Sequence, residues 1–140
     1  MPQVGGVLEA GVTDAAPPPA PAPRPVPVAP VAPADVRALV CDSRWSWACN
    51  EALIVFGCES GLSPAAVNPA GSYGLAQIQG YWHYDKVSRA VGYPVAQEDA
   101  VTLETLLKDP VINLTVADEI YRDSRWHHWR FSQSCWGGKF

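Results

Sequence analysis

The sequence lacks any long apolar run. Its longest, Ala52–Phe56, is far too short to cross a bilayer as a helix. It also lacks a basic excess. Ten Lys and Arg stand against fourteen Asp and Glu, for a formal charge of −4, which argues against a generic nucleic-acid binder. No Cys-x-x-Cys pair is present, so the strongest zinc signature is missing. No aromatic residue precedes Trp45, so the first part of the chain has no large side chain with which to build a core. At 140 residues the chain allows one ordinary domain and argues against two.

What is present divides into two compositions. Ten of the fourteen prolines lie before residue 34, and all fourteen aromatics lie from Trp45 onward. Residues 1–34 form a Pro/Ala/Val tract in which proline removes backbone donors and biases each preceding residue toward extended geometry. The expectation is a disordered, semi-rigid, polyproline-like spacer that holds a domain away from a surface or partner. An SH3-type ligand is the sharper alternative, but the tract is compositional rather than a defined motif. It does not read as a signal peptide, having neither a basic n-region nor a continuous apolar h-region.

Residues 35–140 are the expected domain. Six Trp, five Tyr and three Phe give it enough large side chains for a small core. Cys41, Cys49, Cys58 and Cys135 are an even set that permits two disulfides in an oxidising compartment, with the pairing open among three connectivities. The pattern reads as mainly α. Ser43 is placed to cap a helix over 44–60, along which Ala48, Ala52, Val55, Phe56 and Glu59 share one face. Gly61 and Pro64 stop it. Residues 68–79 are rich in turn formers, with a short strand or helical turn to follow. A short helix is expected over 98–107. Asp109-Pro110 then starts another, with Asp109 as N-cap and Pro110 at its first position, burying Ile112, Val116, Ala117, Ile120 and Tyr121. It ends near Ser124, before an aromatic and basic tail.

Glu59 carries the chemistry. It lies on the mainly apolar face of its helix and in the last turn, where the negative end of the dipole disfavours a carboxylate. Burial against aromatics works in the same direction. A carboxyl kept protonated near neutral pH is what a general acid for glycoside cleavage requires. The plain alternative is a solvated glutamate at a helix end. Adjacent His127 and His128 suggest a metal pair, but neighbours on a helix end point about 100° apart and rarely share one ion. No metal or other cofactor is expected.

The run Glu59-Ser60-Gly61-Leu62-Ser63-Pro64, continuing through Val67-Asn68-Pro69 and Gly71-Ser72-Tyr73-Gly74-Leu75-Ala76-Gln77-Ile78, resembles the signature of the soluble lytic transglycosylase and goose-type lysozyme superfamily. Asp109-Pro110-Val111-Ile112-Asn113 resembles that family's Asp-Pro-x-x-Asn helix start, and Trp126-His127-His128-Trp129 the Trp-x-x-Trp ending of its short members. The likeness implies a lysozyme-like α+β domain with a short turn or hairpin beside the cleft. Glu59 matches the catalytic glutamate, Ser72 the turn residue near the acid, and Gln77 the amide that faces the sugar. Tyr121 corresponds to an aromatic of the cleft floor. The family's Ala-x-Tyr-Asn segment is absent here, so Trp126 and Trp129 are the candidate stacking platforms, with core packing as their alternative role.

The activity so implied is lytic transglycosylation of peptidoglycan, with glycan strands as the partner and a monomer as the working form. A hydrolase is the rival and needs a second carboxylate about 6.5–9.5 Å from the acid if it inverts. Asp85 is the best candidate, although it also reads as a loop residue or the cap of a helix from Lys86. Glu51 lies about two turns from Glu59 and is too distant along the axis. A non-catalytic wall-binding module stacking sugars on Trp82, Trp126 and Trp129 is the alternative from another class, and a structural virion or secreted interaction protein a third. The expected site of action lies outside the cytoplasm, as for a phage lysin, a virion enzyme or a secreted protein.

Overall fold

The computed structural model describes residues 33–140. The Pro/Ala-rich tract lies outside the described residues except for its last two positions, where helix α1 (Pro33–Val40) already begins. The described chain is mainly α. After α1 come α2 (Cys49–Ser60), a hairpin of β1 (Ser72–Tyr73) and β2 (Ile78–Gln79), α3 (Gly80–Val91), α4 (Ala100–Leu107) and α5 (Pro110–Ser124). A 3₁₀ segment (Arg125–Ser132) and the single turn α6 (Gln133–Trp136) close the chain.

The expected helix over 44–60 starts five residues late, and Ser43 does not cap it. Trp45 and Trp47 are both buried, and residues two apart on a helix face nearly opposite ways. The segment between α1 and α2 therefore turns. The Trp45 indole N–H donates to the Leu39 carbonyl at 2.7 Å and that of Trp47 to the Val40 carbonyl at 2.9 Å, satisfying the free end of α1. From Cys49 on, the predicted face holds, with Ala52, Val55 and Phe56 buried, whereas Ala48 is exposed. Gly61 takes φ +65° and returns its N–H to Gly57 at 2.9 Å, a left-handed stop that glycine adopts without strain.

The start of α5 forms as the sequence predicts. Asp109 accepts from the backbone N–H groups of Val111 (2.9 Å) and Ile112 (3.2 Å), with Pro110 next to it. Val116, Ala117, Ile120 and Tyr121 are buried, but Ile112 is only half-buried, because that part of the inward face belongs to Asn113. The helix expected over 98–107 starts at Ala100, where Asp99 accepts from the Thr102 N–H. Most of α3 is unheralded. The sequence predicts helix there only from Lys86, because the run Tyr81-Trp82-His83-Tyr84 shows no apolar period.

The hairpin is antiparallel, with Ser72 opposite Gln79 and Tyr73 opposite Ile78. Asn113, with 0% exposure, binds its turn to the helices. Its Oδ1 accepts from the Ala76 N–H at 2.9 Å, and its Nδ2 donates to the carbonyls of Tyr73 and Leu107, each at 2.8 Å. Gly74 lies under that amide at φ +75°, where a Cβ would come within 2.3 Å of Leu107 O and 2.4 Å of Asn113 Nδ2. Around this junction Phe56, Leu75, Ile78, Leu103, Leu107 and Leu114 form the centre of the core.

The cysteines pair as Cys41–Cys49 and Cys58–Cys135, so all four sulfurs are committed to disulfides. By loop-closure entropy the short bridge contributes about 2–3 kcal/mol and the long one about 4–5 kcal/mol. No helix of the described residues is long and apolar enough to cross a membrane. Asn113→Ala leaves one buried N–H and two buried carbonyls without their partner and is expected to lower unfolding stability by about 3 kcal/mol. Urea titration reads this directly, and a loss below about 1 kcal/mol would contradict the role given to the amide.

Candidate active site

Glu59 sits in the last turn of α2 and opens into a cleft of about 430 Å³. The hairpin supplies one side of the cleft through Ser72, Gln77 and Gln79. The 3₁₀ segment supplies another through His128, Trp129, Arg130 and Phe131, and α3 adds Trp82 and His83. Among the described residues lining it, Glu59 is the one carboxylate. Burial pushes its pKa above the ordinary carboxyl value, against a smaller downward pull from a hydrogen bond with the Ser132 hydroxyl.

The hairpin is held against the acid by its immediate neighbour. Ser60 Oγ bonds the Leu75 carbonyl at 2.7 Å, which fixes the end of α2 to the turn. Ser72 is buried at the cleft wall, with its backbone N–H donating to Asn68 Oδ1 at 3.1 Å. Gln77 adopts φ +52°, and its Nε2 donates to the carbonyls of Gly74 (3.0 Å) and Ala66 (3.3 Å), so the side chain is locked in the turn. Trp129 is buried, donates its indole N–H to the Ala76 carbonyl at 2.9 Å, and is among the residues lining the cleft.

Two expected contacts lie elsewhere. Tyr121 and Trp126 do not line the cleft. They are buried in an aromatic cluster with Trp47 and Phe56, where packing of large rings outweighs exposure to a ligand. The Trp126 indole N–H donates to Glu51 at 2.8 Å, which gives that second glutamate a structural partner. Asp85 also lies outside the cleft lining, half-exposed on α3. Partial burial works upward on its pKa, but the charges of Lys86 and Arg89 outweigh this and hold the carboxyl below the ordinary range. Arg89 also reaches Glu119 at 2.6 Å, so Asp85 is bound into a surface ion-pair group.

The structure adds two groups that the sequence did not single out, Ser132 and His83, and parts His128 from His127. Ser132 is the partner of Glu59. His83 and His128 meet at 4.9 Å between ring centroids within the cleft wall. His127 points outward and is exposed, so the adjacent histidines diverge. Burial lowers both cleft imidazoles, with help from neighbouring positive charge, and His83 falls to about 4. His83 also breaks helical geometry within α3 (φ −122°, ψ 20°), and Trp82 beside it is 66% exposed. Beyond Trp82 and Gln79 lies a second hollow of about 430 Å³, walled by Tyr73, Tyr81 and Gln97. Spacing alone carried no signal for Ser132 beside Glu59 or for His83 beside His128, since the partners come from separate elements.

Chemically, the cleft offers one desolvated acid, neutral imidazoles, amides and aromatic faces. No group of three or more His, Cys, Asp or Glu side chains among the described residues is arranged to hold a metal ion. Comparisons with protein-family models, curated proteins and solved structures found no match to this chain.

A buried acid with a raised pKa stabilises the fold below its unfolded-state pKa, and that contribution is lost as pH rises through the folded-state value. Glu59→Gln removes the titration. The variant is therefore expected to gain stability relative to the wild type between acidic and mildly alkaline pH, read as the difference in urea midpoints at the two ends. Parallel midpoints across that range would show that Glu59 titrates as an ordinary surface carboxyl.

Proposed function

We propose that this protein is a peptidoglycan-cleaving lytic transglycosylase, acting on the β-1,4 bond between N-acetylmuramic acid and N-acetylglucosamine with Glu59 as its one acid–base group. The observation that carries the reading is a half-buried carboxyl of raised pKa, alone of its kind in a polar and aromatic cleft. The sequence resemblance around Glu59 and the hairpin beside it support the same lysozyme-like reading.

Glu59 donates its proton to the oxygen leaving the muramyl C1, and the C1–O bond breaks with oxocarbenium character. The substrate's own acetamido group stabilises the developing charge. The Glu59 carboxylate then takes the proton from the muramyl 6-hydroxyl, whose oxygen bonds C1 and closes a 1,6-anhydro ring. The acid is restored and no water is consumed. Ser72, Gln77 and Trp129 hold the glycan in register, which is where positioning contributes to rate. Placement of Asp85 outside the cleft lining and in an ion-pair group disfavours inverting hydrolysis with that residue as base. Two disulfides suit work outside the cytoplasm, where the wall polymer lies.

Digestion of purified sacculi followed by mass spectrometry is expected to give anhydromuramyl ends, and Glu59→Gln to lower turnover by at least about a thousandfold while binding is retained. Fragments with reducing ends alone would replace the mechanism with hydrolysis. Undiminished clearing of cell walls by Glu59→Gln would remove Glu59 from the role.

A further inference from the structure

The hydroxyl of Ser132 stands at a junction of three groups. It contacts Glu59 Oε2, the Trp129 carbonyl at 3.0 Å and the Trp136 indole nitrogen at 3.0 Å. The indole is only a donor, so Oγ accepts from Trp136, whose one N–H it shares with the Trp129 carbonyl. The single Ser132 proton then has two acceptors to choose between. When Glu59 is ionised, Ser132 donates to the carboxylate, and the Trp129 carbonyl keeps the Trp136 N–H at 3.3 Å. When Glu59 is protonated, the acid donates into the second lone pair of Oγ, and Ser132 turns its proton to the Trp129 carbonyl. Both states are satisfied by rotation of one hydroxyl, with no heavy atom displaced.

A group that serves first as acid and then as base passes through both states in each turnover. We propose that Ser132 is the positioning residue for Glu59, its hydroxyl reversing its hydrogen bond as the acid gives up and regains its proton. This rests on the transglycosylase reading above. Ser132 touches the acid and not the reacting atoms. Its segment is fastened to the helix of the acid by the Cys58–Cys135 disulfide, one residue before Glu59 and three residues after Ser132. The other titratable or charged side chains lining the cleft are His83 from α3 and His128 and Arg130 from the 3₁₀ segment. Burial holds both imidazoles below their ordinary values, with neighbouring positive charge acting the same way.

The test compares Ser132→Ala and Ser132→Thr with the wild type on sacculi, together with an NMR titration of the Glu59 carboxyl. For Ser132→Ala, kcat should fall about ten- to a hundredfold with KM within about twofold, and the Glu59 titration should move upward because its ionised form loses a donor. Ser132→Thr keeps a hydroxyl and should restore both readouts. An unmoved titration in Ser132→Ala, or a loss of rate no larger than its loss of folded protein, would overturn the proposal. A wild type that leaves sacculi intact would overturn the enzymatic reading instead, and the carboxyl titration would still decide whether Ser132 governs Glu59.

Discussion

The carboxamide of Asn113 is the contact on which the rest of the structure depends. A hairpin with two-residue strands does not hold itself together in water. Here its turn is bound through one side chain to α5 and to the last carbonyl of α4, that of Leu107, with every polar atom of the amide used inside the core. Two further hydrogen bonds brace the same turn, from Ser60 at the end of α2 and from Trp129 in the 3₁₀ segment. All three anchors reach main-chain groups of residues 73–76. The cleft wall is thus as rigid as the helices that hold it, although the hairpin itself is minimal.

That rigidity has an electrostatic consequence. Glu59 is the residue next to Ser60, so the same clamp that places the turn holds the acid at the cleft. It lies half-buried at the negative end of a helix, with His83 and His128 lining the same cleft and Arg130 stacked over Phe131 at 4.6 Å. Burial and the helix end leave the carboxylate form less favoured than it is in water. The Ser132 hydroxyl is the compensating contact, and the Cys58–Cys135 bridge keeps it in place.

Several parts of this arrangement were legible in the residues. Asp109-Pro110 specified a helix start because both the cap and the fixed φ act within one turn of chain. Gly61 marked the end of α2 for the same local reason, and the paired apolar residues marked its buried face. Other parts were not legible. The start of α2 was misplaced because two buried tryptophans and a disulfide impose turns that helical periodicity cannot register. Trp126 read equally well as a cleft or a core aromatic and Tyr121 as a cleft-floor one, and both pack in the core against Trp47 and Phe56. Asp85 was a plausible second carboxylate until Arg89 and Lys86 were seen to engage it.

The sequence by itself determined the split between a proline-rich tract and an aromatic domain, the mainly helical character, the N-cap of α5 and the end of α2, and Glu59 as the titratable group to watch. Each of these follows from composition or from contacts within a few residues along the chain. The tertiary structure alone decided which cysteines pair, which aromatics face the cleft, that Asp85 stands apart from it, and that Ser132 rather than a nearer residue bonds the acid. Those outcomes join positions as far apart as 77 residues, for Cys58 and Cys135, and their energies come from burial and hydrogen-bond satisfaction after the chain has closed. No local pattern encodes them, because the partner is set by the packing of the whole domain.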